Sequence, residues 1–206
     1  MSQIKHIVFD LGGVIIHLDH SCAVRRFESI GISNAAALLN PYEQKGIFLD
    51  FENGKLDMPS FCRELSKYAG RELTKAEVVN AWKGFIVEVP QYKLDYISEL
   101  RKTHRVSLLS NTNPAIMEWA RSTDFSEVGL PITSFFDAIY TSYEIGITKP
   151  DRRIFEYMLK RNVFLSSETL FVDDGEKNVK TGESLGMFIY KPENGEDWRD
   201  KITNLL

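Results

Sequence analysis

The chain has 206 residues, 43% of them hydrophobic and 26% charged, with a formal net charge of −4 and a pI near 5.6. That length builds one substantial core, or a core with a smaller appended lobe, around a single active site. The acidic balance offers no broad basic surface for nucleic acid or an anionic membrane, and no segment approaches the roughly 20 apolar residues of a membrane span, so a cytoplasmic protein acting on small molecules is expected.

In chain order, short apolar runs rich in β-branched and aromatic residues occur at Ile4 to Phe9, Val106 to Leu109, Ala138 to Thr141, Leu170 to Val172 and Phe188 to Tyr190. They read as buried strands. Helical patterns lie between most of them, with start signals such as Val89-Pro90, Asn113-Pro114 and Lys149-Pro150. The alternation predicts an α/β fold with a doubly wound parallel sheet, covered on both faces.

From about His20 to Val89 the alternation stops, leaving amphipathic helical segments and no convincing strand. Helix entries there are Asp57-Met-Pro59, after a turn at Gly54, and the capping box Thr74-Lys-Ala-Glu77. An all-helical lobe inserted after the first strand is expected, with Phe48, Phe51, Phe61, Trp82 and Phe85 as its core. Cys22 and Cys62 have no CxxC spacing and read as buried filler, not as a disulfide or a zinc site. The segment from Glu193 to Leu206 reads as a closing turn and helix.

In a doubly wound sheet, ligands bind outside the carboxyl ends of the strands. Four such places carry reactive or polar groups: Asp10, Ser110-Asn111, Lys149 and Asp173-Asp174. Singly, each fits a turn residue, a helix cap or a surface charge. The adjacent pair Asp173-Asp174 is harder to place in a bland role, because neighbouring carboxylates repel unless a cation or donors compensate. A hard oxygen-liganded cation suits them, and Mg²⁺ needs only one or two protein carboxylates, here Asp10 and Asp174. A carboxylate can also attack phosphorus and form an acyl phosphate. Lys149, the Ser110 hydroxyl and a cation together can stabilise the transferring phosphoryl group.

The segments Phe9-Asp-Leu-Gly-Gly-Val14, Leu109-Ser-Asn-Thr112, Gly146-Ile-Thr-Lys-Pro150 and Phe171-Val-Asp-Asp174 resemble, in order and spacing, the four motifs of the haloacid dehalogenase superfamily. The resemblance spans essentially the whole chain and implies a Rossmann-like core at 1–16 and 92–206, with a helical cap inserted at 17–91. It implies Mg²⁺ as cofactor and Asp10 as nucleophile and metal ligand. By the same resemblance Gly12 would supply a backbone carbonyl to the metal, Asp174 would be a direct metal carboxylate, and Asp173 its neighbour outside direct contact. Ser110 and Asn111 would bind the phosphoryl group, and Lys149 would neutralise its charge. Ser110-Asn-Thr-Asn113, and Asp173-Asp174 with Asn178, are most similar to bacterial sugar-phosphate phosphatases of the glucose-1-phosphate type, related to the amino-terminal domain of soluble epoxide hydrolase. The implied activity is phosphomonoester hydrolysis of a small phosphorylated metabolite.

One position departs from the pattern. Most phosphatases of this superfamily carry a second Asp two residues after the nucleophile as general acid and base, and here that position is Gly12. Such catalysis is typically worth about 10² to 10⁴-fold. His17, His20 and Lys45 are the replacements considered from sequence. The glycine also leaves two other readings open: a catalytically weak sensor that binds a phosphorylated ligand, and a 2-haloacid dehalogenase, whose chemistry needs no metal. Oligomeric state is not encoded in any motif.

Overall fold

The run His6-Ile-Val-Phe9 forms β1 (His6–Phe9), the central strand of a five-stranded sheet in the computed structural model, which describes residues 4–39 and 44–206. The other strands are β2 (His17–Leu18), β3 (Ile86–Glu88), β4 (Arg105–Ser110), β5 (Ala138–Thr141), β6 (Thr169–Val172) and β7 (Phe188–Tyr190). The main sheet runs β5-β4-β1-β6-β7 with every neighbouring pair parallel. Ile7 and Phe9 point into one layer with Leu94, Ile97 and Trp198, while Val8 points into the other with Leu109, Phe155 and Phe171. Both faces are therefore apolar, which is why the strand reads as a continuous hydrophobic run.

Five helices lie between β2 and β3: α1 (His20–Ser29), α2 (Ala35–Leu38), α3 (Ile47–Glu52), α4 (Met58–Ala69) and α5 (Lys75–Trp82). The expected caps are in place. Asp57 accepts from the Ser60 amide, and Thr74 and Glu77 form a reciprocal capping box. These helices share a core of their own, in which Phe51 and Phe61 stack with centroids 4.1 Å apart and Phe27 meets Phe48 edge-on at 5.1 Å.

The stretch from His20 to Val89 is not free of strand, contrary to the sequence reading. β3 pairs antiparallel with β2 and closes the two chain crossings into a short ribbon. Two or three residues are too few to show a period of two. The ribbon is tied down by His17, whose Nδ1 lies 2.7 Å from Glu88 Oε1 and whose Nε2 lies 3.1 Å from Nζ of the buried Lys93.

The remaining helices are α6 (Gln91–Leu100), α7 (Pro114–Ala120), α8 (Ser142–Ile145), α9 (Arg152–Asn162), α10 (Glu176–Ser184) and α11 (Arg199–Thr203). Asn113 caps α7, with Pro114 in its first turn. The helix after Lys149-Pro150 begins two residues later than the proline implied, because Asp151 accepts from Arg153 N and so takes the capping position. Cys62 is buried, but Cys22 is partly exposed on α1, so only one of the two is filler. No helix among the described residues is long and apolar enough to cross a membrane.

Candidate active site

Strand order reverses direction at β1, so the carboxyl ends of β1, β4 and β6 converge on one crevice. Asp10 follows β1 directly, Ser110 ends β4, and Asp173 and Asp174 follow β6. Lys149 reaches the same point from the loop between α8 and α9. Asp10, Gly12, Ser110, Asn111, Lys149 and Asp174 line one cavity of about 130 Å³. Asp173 lies behind them, fully buried. All seven residues singled out in the sequence are thus brought together.

Lys149 organises the group. Its Nζ stands 2.9 Å from Asp10 Oδ1, 2.6 Å from Asp173 Oδ2 and 2.8 Å from Leu109 O, with the side chain wholly buried. Asn111 fixes the backbone that carries it: its Nδ2 donates to Lys149 O at 2.8 Å, and Lys149 N donates to its Oδ1 at 2.7 Å. Both ends of the Asn111 amide are therefore committed to the lysine loop. Its side chain thus positions the lysine loop, while the residue still lines the cavity beside Ser110. Asp173 accepts from Gly175 N and Asn178 Nδ2 at 2.8 and 2.9 Å, which accounts for the asparagine noted with this motif.

Three carboxylates, those of Asp10, Asp173 and Asp174, offer oxygens within 4.8 Å of one another, against the single ammonium of Lys149. Burial holds the Asp10 carboxyl above the ordinary carboxylate range, opposed by Lys149. Burial, then repulsion from Asp173, pushes Asp174 up to about 6. Burial works against the Lys149 charge, but Asp10 and Asp173 outweigh it and raise that group. Such a surplus of hard oxygen donors fits a cation like Mg²⁺.

Glycine at position 13 is required twice. Its φ is +74°, and a Cβ there would lie 2.2 Å from Asp174 Oδ2. At Gly12 the backbone is ordinary, but a Cβ would meet Leu18 Cδ1 at 2.9 Å, so the β2 side chain occupies the space a larger residue would need.

The roof of the cavity was not read from the sequence. Leu18, Gln44, Glu52, Trp82 and Phe85 line it. Trp82 and Phe85 thus face the ligand space as well as the lobe core. His17, His20 and Lys45 do not line it; His17 pairs with Glu88, His20 bonds Leu39 O, and Lys45 is exposed. The signal for Glu52 was its place on α3. Phe48, Phe51 and Glu52 are spaced i, i+3, i+4, so a carboxylate stands in the apolar stripe of the helix.

A family profile described as haloacid dehalogenase-like hydrolase matches residues 4–186. The chain is 48% identical over 204 residues to the D-ribitol-5-phosphate phosphatase of Bacteroides thetaiotaomicron, covering 99% of each. Among solved structures, a HAD-like family hydrolase from Porphyromonas gingivalis superposes with a TM-score of 0.95 at 45% identity, covering 98% of each chain. A HAD family enzyme from B. thetaiotaomicron, crystallised as an alanine variant with magnesium and inorganic phosphate, gives 0.92 at 33% identity, over 97% of this chain and 98% of that one.

Proposed function

The chain belongs to the haloacid dehalogenase-like hydrolases, and within that family we propose that it is a Mg²⁺-dependent phosphatase of a small sugar phosphate or sugar-alcohol phosphate. The observation that carries this reading is the contact of Lys149 Nζ with Asp10 Oδ1 in a cavity shared with Ser110 and Asp174. The full-length likeness to a D-ribitol-5-phosphate phosphatase supports the substrate class. So does the small cavity, which mixes polar groups with Trp82 and Phe85. We take residues 1–16 and 92–206 as the catalytic core and 17–91 as a cap that closes over it.

In this mechanism a carboxylate oxygen of Asp10 attacks phosphorus, the bond to the leaving oxygen breaks, and an aspartyl phosphate forms. Water then attacks that phosphorus, releasing inorganic phosphate and restoring Asp10. Lys149 and Ser110 hold the phosphoryl oxygens, so that charge is met where it develops. Asp10, the Gly12 carbonyl and Asp174 are the groups that would hold Mg²⁺, with Asp173 kept apart by its pairing with Lys149. What Mg²⁺ supplies when bound is further neutralisation of the phosphoryl charge.

The test is phosphate release from a panel of sugar and sugar-alcohol phosphates and p-nitrophenyl phosphate, with Mg²⁺ and with EDTA. The expected result is turnover that requires Mg²⁺ and disappears in Asp10→Asn. Tight binding of a beryllium fluoride phosphate mimic without turnover on any ester would instead make the protein a phosphate-ligand sensor.

A further inference from the structure

Glu52 is 8% exposed. A carboxyl group so buried is costly and calls for a reason. It ends α3 and lines the same cavity as Asp10, Gly12, Ser110 and Lys149. Its position is set by contact between the lobe and the core. A Cβ on Gly54, two residues on, would lie 2.1 Å from Tyr143 O, and Asn53 O comes within 3.9 Å of the Cβ site of Gly146 in the Lys149 loop. The turn after Glu52 is thereby seated on α8 and the segment that carries Lys149.

The leaving group of a sugar-alcohol phosphate is an ordinary alkoxide, which departs poorly unless protonated. With glycine at position 12 and Leu18 in the space beside it, the core offers no acid at the usual place. We propose that Glu52, supplied by the lobe, is the catalytic acid and base of this enzyme. The assignment rests on the phosphatase reading above. As the bond between phosphorus and the leaving oxygen breaks, the Glu52 proton passes to that oxygen and the alcohol departs. In the second step the Glu52 carboxylate takes a proton from the attacking water while the bond between phosphorus and Asp10 breaks. The cycle returns Glu52 protonated and Asp10 ionised, with one water consumed per ester. Burial, with repulsion from Asp10 and partial opposition from Lys149, pushes the Glu52 carboxyl up to about 8, which keeps a proton on it near neutrality.

The experiment compares full-length wild type, Asp10→Asn, Glu52→Gln and Glu52→Asp, all with Mg²⁺, on D-ribitol 5-phosphate and on p-nitrophenyl phosphate. The phenolate leaves without protonation. Glu52→Gln should lower kcat on the sugar-alcohol ester by about 10² to 10⁴-fold with KM little changed. The first-turnover burst of p-nitrophenolate should fall far less, and aspartyl phosphate should accumulate because water attack has lost its base. Glu52→Asp should recover part of the loss, and decides the matter by the same comparison if the glutamine variant does not fold. Equal loss of first-turnover rate on both esters, a KM rise with kcat intact, or unchanged turnover would each overturn the assignment while leaving the phosphatase reading standing. No turnover by wild type, or undiminished turnover by Asp10→Asn, would remove that reading and the role of Glu52 with it.

Discussion

Lys149 Nζ lies 2.9 Å from Asp10 Oδ1, the lysine side chain wholly buried and that of the aspartate 13% exposed. Removing one partner of a buried pair leaves the other charge uncompensated, at a cost of about 3 to 5 kcal/mol. Lys149→Met should therefore lose stability of that size in urea unfolding without metal. It should also lose at least about 10²-fold in kcat, as expected when a charge aimed at the transferring group is deleted. Lys149→Arg should restore neither, because a planar guanidinium cannot reproduce the three contacts a compact ammonium makes to Asp10, Asp173 and Leu109 O.

Gly13→Ala tests how closely the Asp174 carboxylate, proposed above to hold Mg²⁺, is packed. The left-handed φ of +74° costs a non-glycine residue roughly 1 to 2 kcal/mol. The added methyl would also stand 2.2 Å from Asp174 Oδ2, so the carboxylate must move. Mg²⁺ affinity, followed by titration calorimetry, should weaken by more than the loss in stability accounts for. Unchanged affinity would show that Asp174 is free to relocate.

The chemistry was legible in the chain where a reactive group directly follows a strand. Asp10, Ser110, Asp173 and Asp174 sit at strand ends, and the doubly wound topology alone brings such ends together. Lys149 was legible only through its motif, since nothing local shows that a loop lysine will be buried. The positioning role of the Asn111 side chain was not legible, because its partners, the N–H and C=O of Lys149, lie 38 residues away. The β2–β3 ribbon was too short to carry a pattern. Glu52 was in view as the polar intruder in an apolar helical stripe, but its meaning depends on how the lobe meets the core at Gly54 and Tyr143, which no local pattern encodes.

Glu52 also has a signature in stability. Its carboxyl is raised from the ordinary 4.5 to about 8, chiefly by burial, so between those limits the folded protein keeps a proton that the unfolded chain has released. Stability therefore falls as pH rises through that window, by up to about 1.4 kcal/mol per unit for this one group. In EDTA, wild-type stability from denaturant titrations should decline between about pH 5 and pH 8, and Glu52→Gln should flatten part of that decline. Parallel curves for the two proteins would mean that Glu52 ionises alike in both states.

Placing an aspartate at position 12 is the natural attempt to improve a phosphatase that lacks one, and the crowding and charge of the site argue against the single change. The Gly12 backbone admits a side chain, but its Cβ would stand 2.9 Å from Leu18 Cδ1, so that the end of this half-buried side chain must turn aside. That shift should cost about 1 kcal/mol. The new carboxylate would also join a cavity where three others already outnumber one ammonium. Gly12→Asp should accordingly be less stable and less active than wild type. Adding Leu18→Ala should recover stability in the double variant, giving a coupling of about 0.5 to 3 kcal/mol in a double-mutant cycle on urea midpoints. Recovery of turnover with Glu52→Gln in that background would show that the two acids are interchangeable; additive losses would confine the proton to the lobe side of the cavity.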